Sequence, residues 1–368
     1  MKTIRRLFYN EVSTAVLLVT LGFIGLFYFF DFIDELQSLG RFSDAGYRVP
    51  QALMFVAFMI PSHVYELLPI TVLIGTIFVM ARLAQSSEFT ILRTSGLGPW
   101  RALRTLIVVG LGFVLLTFAV GDYVAPWADQ TGKLLKSKYQ GNVTVGKTGA
   151  WLKERQMDGH FAVNVGALAP DASMRDVRIF EFNNQGALVS MTQGKTARFS
   201  GVGAWLLESV DRTEFSGNDA ETSHVERTIL DKFSWPTQVN AEMVATAILR
   251  PERMGTVDLF QYIQHLNANG QSSQKYEIQF WKKVFYPLSC LVMVVLALPF
   301  AYLHFRSGGI ATYVFGGVMA GISFVLLNNV LGDLGALQGW QPWFTAALPG
   351  LIYSMVSLAA FAWLVIRR

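Results

Sequence analysis

The sequence predicts an α-helical membrane protein with six transmembrane helices and an inserted all-β, jellyroll-like domain. Three observations predict it. Of 368 residues, 52% are hydrophobic and 15% charged, and the mean hydropathy is +0.38, which argues against a soluble multidomain enzyme. Apolar runs recur near 12–33, 52–81, 105–125, 284–303, 310–332 and 343–365. Each approaches or exceeds the length of about 20 residues that a helix needs to cross a bilayer. Between the third and fourth runs, alternating apolar and polar residues read as strand rather than helix. The chain therefore divides into spans one to three at 1–125, an inserted domain at 126–276 and spans four to six at 277–368.

Basic residues in the short loops orient the spans. Lys2, Arg5, Arg6, Arg82, Arg93, Arg101, Arg104, Arg306, Arg367 and Arg368 fall on one side, ten against Arg41 and Arg48 on the other. Positive charge is retained in the cytoplasm, so both termini are expected there and the inserted domain outside. The first run lacks a small-residue cleavage site and exceeds a signal-peptide core, so it reads as a retained helix. The single cysteine, Cys290, lies in the fourth run, so disulfides do not staple the inserted domain.

The first span ends in Phe29, Phe30, Asp31, Phe32, Ile33, Asp34 and Glu35, where aromatics give way to three carboxylates. The plain reading is a solvated helix end. The second span carries His63 and Glu66 between Pro61 and Pro69. A charged group at that depth costs about 3 kcal/mol on insertion scales unless it faces a partner or a wet cavity. Two arrangements meet this requirement: both residues face a cavity, or the helix breaks at Pro61 and leaves them near the outer interface.

The stretch from Arg82 to Trp100 is too polar for lipid. Ser86 is placed to cap a short helix with Glu88 in its first turn and Arg93 in its last, so both charges complement the helix dipole. Gly96 stops this helix and Pro99 suits the first turn of the next. The result is a surface helix at about 84–96 presenting Glu88, Phe89, Leu92 and Arg93 to the cytoplasm, as a docking element or as an amphipathic connector.

Gly121 to Trp127 marks the exit from the third span, and Lys133, Lys136 and Lys138 follow. Lysines on that outer side run against the charge rule. They suit phosphate groups at a cavity mouth, each worth about 1 kcal/mol near an anionic surface, or they form a solvated helix face. Gly141 to Thr148 spells the phosphate-loop pattern, but no strand precedes it and no helix follows, so nucleotide is not expected there.

From Ala150 to about Pro236 the chain reads as β. Phe161, Val163 and Val165 alternate with Ala162, Asn164 and Gly166, and Asp158-Gly159 and Asn184 to Gly186 supply turns. Residues 256–268 form an amphipathic helix, and Lys282 and Lys283 stand at the outer start of the fourth span. Asn328 and Asn329 in the fifth span suit pairing with neighbouring helices. His160 and His224 are isolated, and no nucleophile, base and orienting group assemble. No catalytic residue, metal or cofactor is expected in this chain, and no nucleic-acid partner.

With the Leu83-Ala-Gln-Ser-Ser-Glu88 piece, Ser95-Gly96, the Gly121 to Trp127 exit, the β domain and the Tyr276 to Pro287 run in order, the chain resembles the LptF/LptG permeases. The resemblance spans essentially the whole length. The first two pieces, and an end at Arg368 immediately after the sixth span, are more like LptG members than LptF members. It implies a subunit of the lipopolysaccharide export ABC transporter in the inner membrane, with a periplasmic β-jellyroll. It further implies pairing with LptF, two LptB ATPases beneath that hold ATP and Mg, and delivery of lipopolysaccharide through LptC to LptA. By the same resemblance, Glu88 lies in a coupling helix that docks into LptB, with Phe89, Leu92 and Arg93 on that helix. Lys133 and Lys136 lie beside the lipid A phosphates; Lys138, Lys283, Glu66 and His63 complete the expected lipopolysaccharide-binding set. Phe161, Val163 and Val165 face the jellyroll interior. One departure is that the family often carries a lysine near the end of the first span, where this chain has Asp31. A different class fits the same architecture: a membrane-anchored mechanotransmission, assembly or sensor protein that moves no lipid. Polar helix linings and outer lysines discriminate, because a pure anchor needs neither.

Overall fold

The computed structural model describes residues 2–43, 46–86, 88, 91, 98–140, 143–144, 150–156, 159–169, 173–200, 203–216, 224–237, 239, 244, 251–302 and 310–366. They form two compact units. The first comprises Met1–Glu35, Val56–Asp129 and Gln274–Arg368, the second Leu36–Phe55 and Gln130–Ser273.

Among the described residues, six helical stretches are long and apolar enough to cross a membrane: Arg6–Phe42, Val49–Gln85, Pro99–Lys136, Gln274–Tyr302, Ala311–Gln338 and Pro342–Trp363. They overlie the six predicted runs, and the first four extend beyond them into polar sequence. Helix α1 (Lys2–Phe42) is followed by α2 (Val49–Gln85), which runs on through both Pro61 and Pro69. The break at Pro61 is therefore not adopted. Each proline forfeits one helical hydrogen bond, a loss that packing against neighbouring helices can compensate.

Helix α3 (Pro99–Ala119) passes through one π-helical turn, Val120–Val124, directly into α4 (Ala125–Gln140). Helix α5 (Thr256–Ala268) belongs to the second unit and matches the amphipathic helix expected at 256–268. Helix α6 (Gln274–Phe285) joins α7 (Ser289–Ala297) through a 3-10 turn at Tyr286–Leu288, and α8 (Ile310–Gln338) and α9 (Pro342–Ile366) follow.

Phe8, Val12 and Val16 of α1 pack with Leu68, Val72 and Val79 of α2, Leu106 of α3 and Val294 of α7 in one buried cluster. Burying such side chains stabilises by about 1.5–3 kcal/mol each in water, whereas in lipid close packing carries the association. The α1–α2 crossing is tight enough to require a glycine. A Cβ on Gly75 would lie 2.8 Å from the backbone nitrogen of Val16.

The second unit holds the inserted β domain. Its strands are β1 (Val143–Thr144), β2 (Ala150–Gln156), β3 (Gly159–Leu168), β4 (Met174–Phe182), β5 (Leu188–Phe199), β6 (Ala204–Ser216) and β7 (His224–Pro236). All pairings are antiparallel, in the order β1-β3-β4-β5-β6-β7, with β2 also on β3. Strands β1 and β2 thus share one edge of β3. Of the stretch from Gly141 to Thr148, only Val143 and Thr144 are described, and they are strand.

Along β4 to β6 the buried positions change parity at one level. Met174 is followed by Val177, and Leu207 by Val210, at Asp176 (φ 51°) and Ser209 (φ 52°). Both residues take the left-handed backbone that non-glycine residues seldom adopt. Neither Gly166–Asp176 nor Lys195–Ser209 appears in the ladders, although the pairings on either side keep one register. A single row across the sheet therefore switches which residues face inward, keeping apolar side chains inside on both sides of the row. Trp205 anchors that interior, its indole N–H donating to the Val239 carbonyl at 2.7 Å.

Candidate functional site

Polar groups in the membrane unit are tied across helices. Asp31 Oδ2 of α1 lies 2.6 Å from His63 Nε2 of α2, with side chains 19% and 15% exposed, and the Phe27 ring centroid is 5.0 Å from that of His63. Along the same helix pair, the Thr20 hydroxyl donates to Thr71 Oγ1 at 2.9 Å and Arg82 donates to Glu11 at 2.5 Å. Pairing of this kind offsets the cost of holding ionisable groups in an apolar span. It also corrects the solvated-end reading of the first span: Asp31 is engaged by α2 and Glu35 is buried, leaving Asp34 as the exposed carboxylate.

On α6, Lys283 is 7% exposed and its ammonium donates to the Gly121 carbonyl at 2.9 Å. Gly121 lies in the π-helical turn, where the register change takes a carbonyl out of the regular ladder. The lysine supplies a donor from α6. The Tyr65 ring fills the space beside it: a Cβ on Gly121 would sit 2.3 Å from two of its ring carbons. The Lys283 ammonium is 5.8 Å from the Tyr65 ring centroid, Tyr65 and Tyr286 lie 5.2 Å apart, and the Tyr286 hydroxyl donates to the Glu66 carbonyl at 2.6 Å. The Glu66 side chain is exposed and His63 half-buried. Helices α2, α6 and the π-turn are thereby locked at one level.

Lys133 and Lys136 belong to the second unit, on α4, three residues apart and so on one helix face. Both are half-buried. The Lys136 ammonium lies 4.6 Å from the Phe55 ring centroid, and Tyr139 packs on buried Tyr47 at 5.4 Å. A cation held over an aromatic face keeps its N–H donors oriented while its stem is shielded. Lys138 follows on the same helix, with its side chain outside those described.

Glu88 is helical and exposed, whereas Phe89, Leu92 and Arg93 lie outside the described residues. Ser86 closes α2: its N–H bonds the Arg82 carbonyl at 3.0 Å and its hydroxyl donates to the Leu83 carbonyl at 3.4 Å. In the β domain, Val163 and Val165 are fully buried, and Phe161 is half-buried with its ring 6.4 Å from that of Trp235. Buried His265 of α5 lies in the same unit. Burial pushes its imidazole below the ordinary value, offset in part by the Glu154 carboxylate.

Two groupings escaped sequence reading: Asp31 with His63, and Lys283 with Gly121 and Tyr65. The signals were present as single residues, an acid at the end of the first span, a histidine within the second and a glycine beside an aspartate, but nothing in the linear pattern paired them.

The sequence model of the family described as "Lipopolysaccharide export system permease LptF/LptG" matches residues 6–366. The chain is 26% identical over 370 residues to the lipopolysaccharide export system permease protein LptG of Haemophilus influenzae, covering 100% of this chain and 99% of that protein. It is also 26% identical over 362 residues to the LptG protein of Escherichia coli K12, covering 98% and 96% respectively.

Proposed function

The chain belongs to the lipopolysaccharide export system permease LptF/LptG family, and from that premise we propose that it is the LptG-type permease subunit of an inner-membrane ABC transporter. Its work is to draw lipopolysaccharide out of the inner membrane and drive it toward the outer membrane. The observation that carries this is the family match at 6–366, which runs through both the membrane-spanning helices and the β insert.

In this proposal an LptF subunit completes the membrane pair, with both termini of this chain cytoplasmic and the β domain periplasmic. Two LptB ATPases bind beneath and hold ATP and Mg, so hydrolysis resides in them. Glu88, an exposed acid near the cytoplasmic arginines, docks the ATPase through charge-assisted hydrogen bonds, together with Phe89, Leu92 and Arg93. Lys133 and Lys136, with Lys138, receive the lipid phosphates as point charges. His63, Glu66 and Lys283 serve from the membrane unit, Lys283 also holding the exit turn. The apolar inside of the β domain, Phe161, Val163 and Val165 included, shelters acyl chains before transfer through LptC to LptA.

The test is purification of the full chain from Gram-negative membranes, with mass spectrometry of co-eluting proteins and lipid, beside Glu88→Lys. Wild type is expected to carry LptF, LptB and lipopolysaccharide, and Glu88→Lys to lose most of the ATPase subunit and its ATP turnover. Unchanged LptB yield and turnover in the variant would count against docking at Glu88. A wild-type chain without ATPase or lipopolysaccharide would favour the anchored-sensor class.

A further inference from the structure

A groove of about 400 Å³ opens between α1 and α3, lined by Tyr9 and Ser13 on one side and by Val108, Gly112 and Leu116 on the other. It lies within two stretches apolar enough to cross the bilayer. Gly112 contributes to its width, since a Cβ there would have no heavy atom within 4 Å. From Val108 to Leu116 the α3 wall is about 12 Å long at 1.5 Å per residue, the reach of much of one acyl chain.

Charge marks one end of the groove. Arg6 precedes Tyr9 by three residues and Ser13 by seven, and Arg104 precedes Val108 by four and Gly112 by eight. Each arginine therefore stands on the groove face of its own helix, one turn nearer the chain terminus or the start of α3. Both side chains are exposed, and neither forms an ion pair among the described residues. The Tyr9 and Ser13 hydroxyls come next along α1. An apolar wall on α3, hydroxyls facing it from α1 and guanidinium groups at one end give partners for the chain, esters and phosphate of a glycerophospholipid.

We infer that this groove binds an anionic glycerophospholipid from the leaflet on the side of Arg6 and Arg104. One acyl chain lies along α3 from Val108 to Leu116, and the phosphate sits between the two arginines. A phosphate and a planar guanidinium match as two-point partners, and basic pockets between spans suit anionic headgroups. Naming that leaflet cytoplasmic rests on the orientation proposed above; the groove and its arginines do not. This lipid is a resident of the permease rather than its cargo.

The experiment is native mass spectrometry of the purified full chain, with whatever subunits accompany it, from micelles containing equal phosphatidylglycerol and phosphatidylcholine. Wild type is expected to retain one phosphatidylglycerol in preference to phosphatidylcholine. The double variant R6Q/R104Q should lower phosphatidylglycerol retention by about twenty-fivefold, about fivefold per arginine, without changing phosphatidylcholine. The variant G112F should reduce both by filling the slot, and L326F, at a 58% exposed position of α8, should change neither. Equal retention of the two lipids by wild type, or undiminished phosphatidylglycerol in R6Q/R104Q, means annular contact only and overturns the site. So does a partner helix cross-linked into the groove with no lipid retained. Neither ATPase nor lipopolysaccharide enters the measurement, so it stands or falls separately from the export function.

Discussion

His265 shows how much a single buried group determines. Its imidazole accepts from the Asn269 side chain at 3.3 Å, and burial holds its pKa below the usual value of about 6.5. The folded state thus prefers the neutral ring. Its contribution to stability is fully present above about pH 6.5 and is lost as pH falls through the lower folded value. Urea unfolding of the full chain should show a lower midpoint at about pH 5.5 than at about pH 7.5, and His265→Gln should flatten that dependence. The exposed Asp211–Arg227 pair does not confuse the result. Hydrogen bonds from Arg227 hold the Asp211 carboxyl below its usual range, so its contribution fades only below about pH 4. Residues of this kind are hard to read in advance. The amphipathic pattern of 256–268 was legible, but a histidine on its apolar face carries no mark of the carboxylate that will stand near it.

At the scale of elements, what was legible and what was not follow from what periodicity records. Hydropathy located the six spans because a bilayer imposes one length on each, and alternation located the strands because one face is buried. Neither pattern says which neighbour covers a face. The Asp31–His63 tie between α1 and α2 and the Gly75–Val16 crossing therefore appear only in the folded chain. The parity switch at Asp176 and Ser209 was equally invisible, because a break in alternation looks like the end of a strand. Ser86, an N-cap by residue type, closes the preceding helix because α2 extends to Gln85. The α1–α2 tie is directly testable. Leaving one partner of a buried hydrogen bond unsatisfied costs about 1–3 kcal/mol, and less here because both side chains retain some solvent. Asp31→Lys should lower the thermal midpoint of the purified chain, and the exchange Asp31→His with His63→Asp should restore most of it. An exchange no better than the single variant would mean that the pair contributes no tie.

At the scale of the whole molecule, a six-span membrane unit and an antiparallel β insert occur in one chain whose family is defined by lipopolysaccharide export. Composition argued against a soluble multidomain enzyme, and the Leu83 to Glu88 piece, Ser95-Gly96, the Gly121 to Trp127 exit, the β domain and the Tyr276 to Pro287 run together brought the family into view. The division of labour between the units was not legible, because the lysines of α4 and the paired groups of the membrane helices belong to different compact units. If the chain is a working permease, the inside of its β domain must meet the lipid only when the partner ATPases turn over. A photo-crosslinking amino acid at Phe161, in the chain reconstituted with its partner subunits and lipopolysaccharide in proteoliposomes, measures that directly. The expected result is lipopolysaccharide adducts that appear with ATP and are absent without it. Adducts independent of ATP, or none at Phe161 while the complex hydrolyses ATP, would contradict the account.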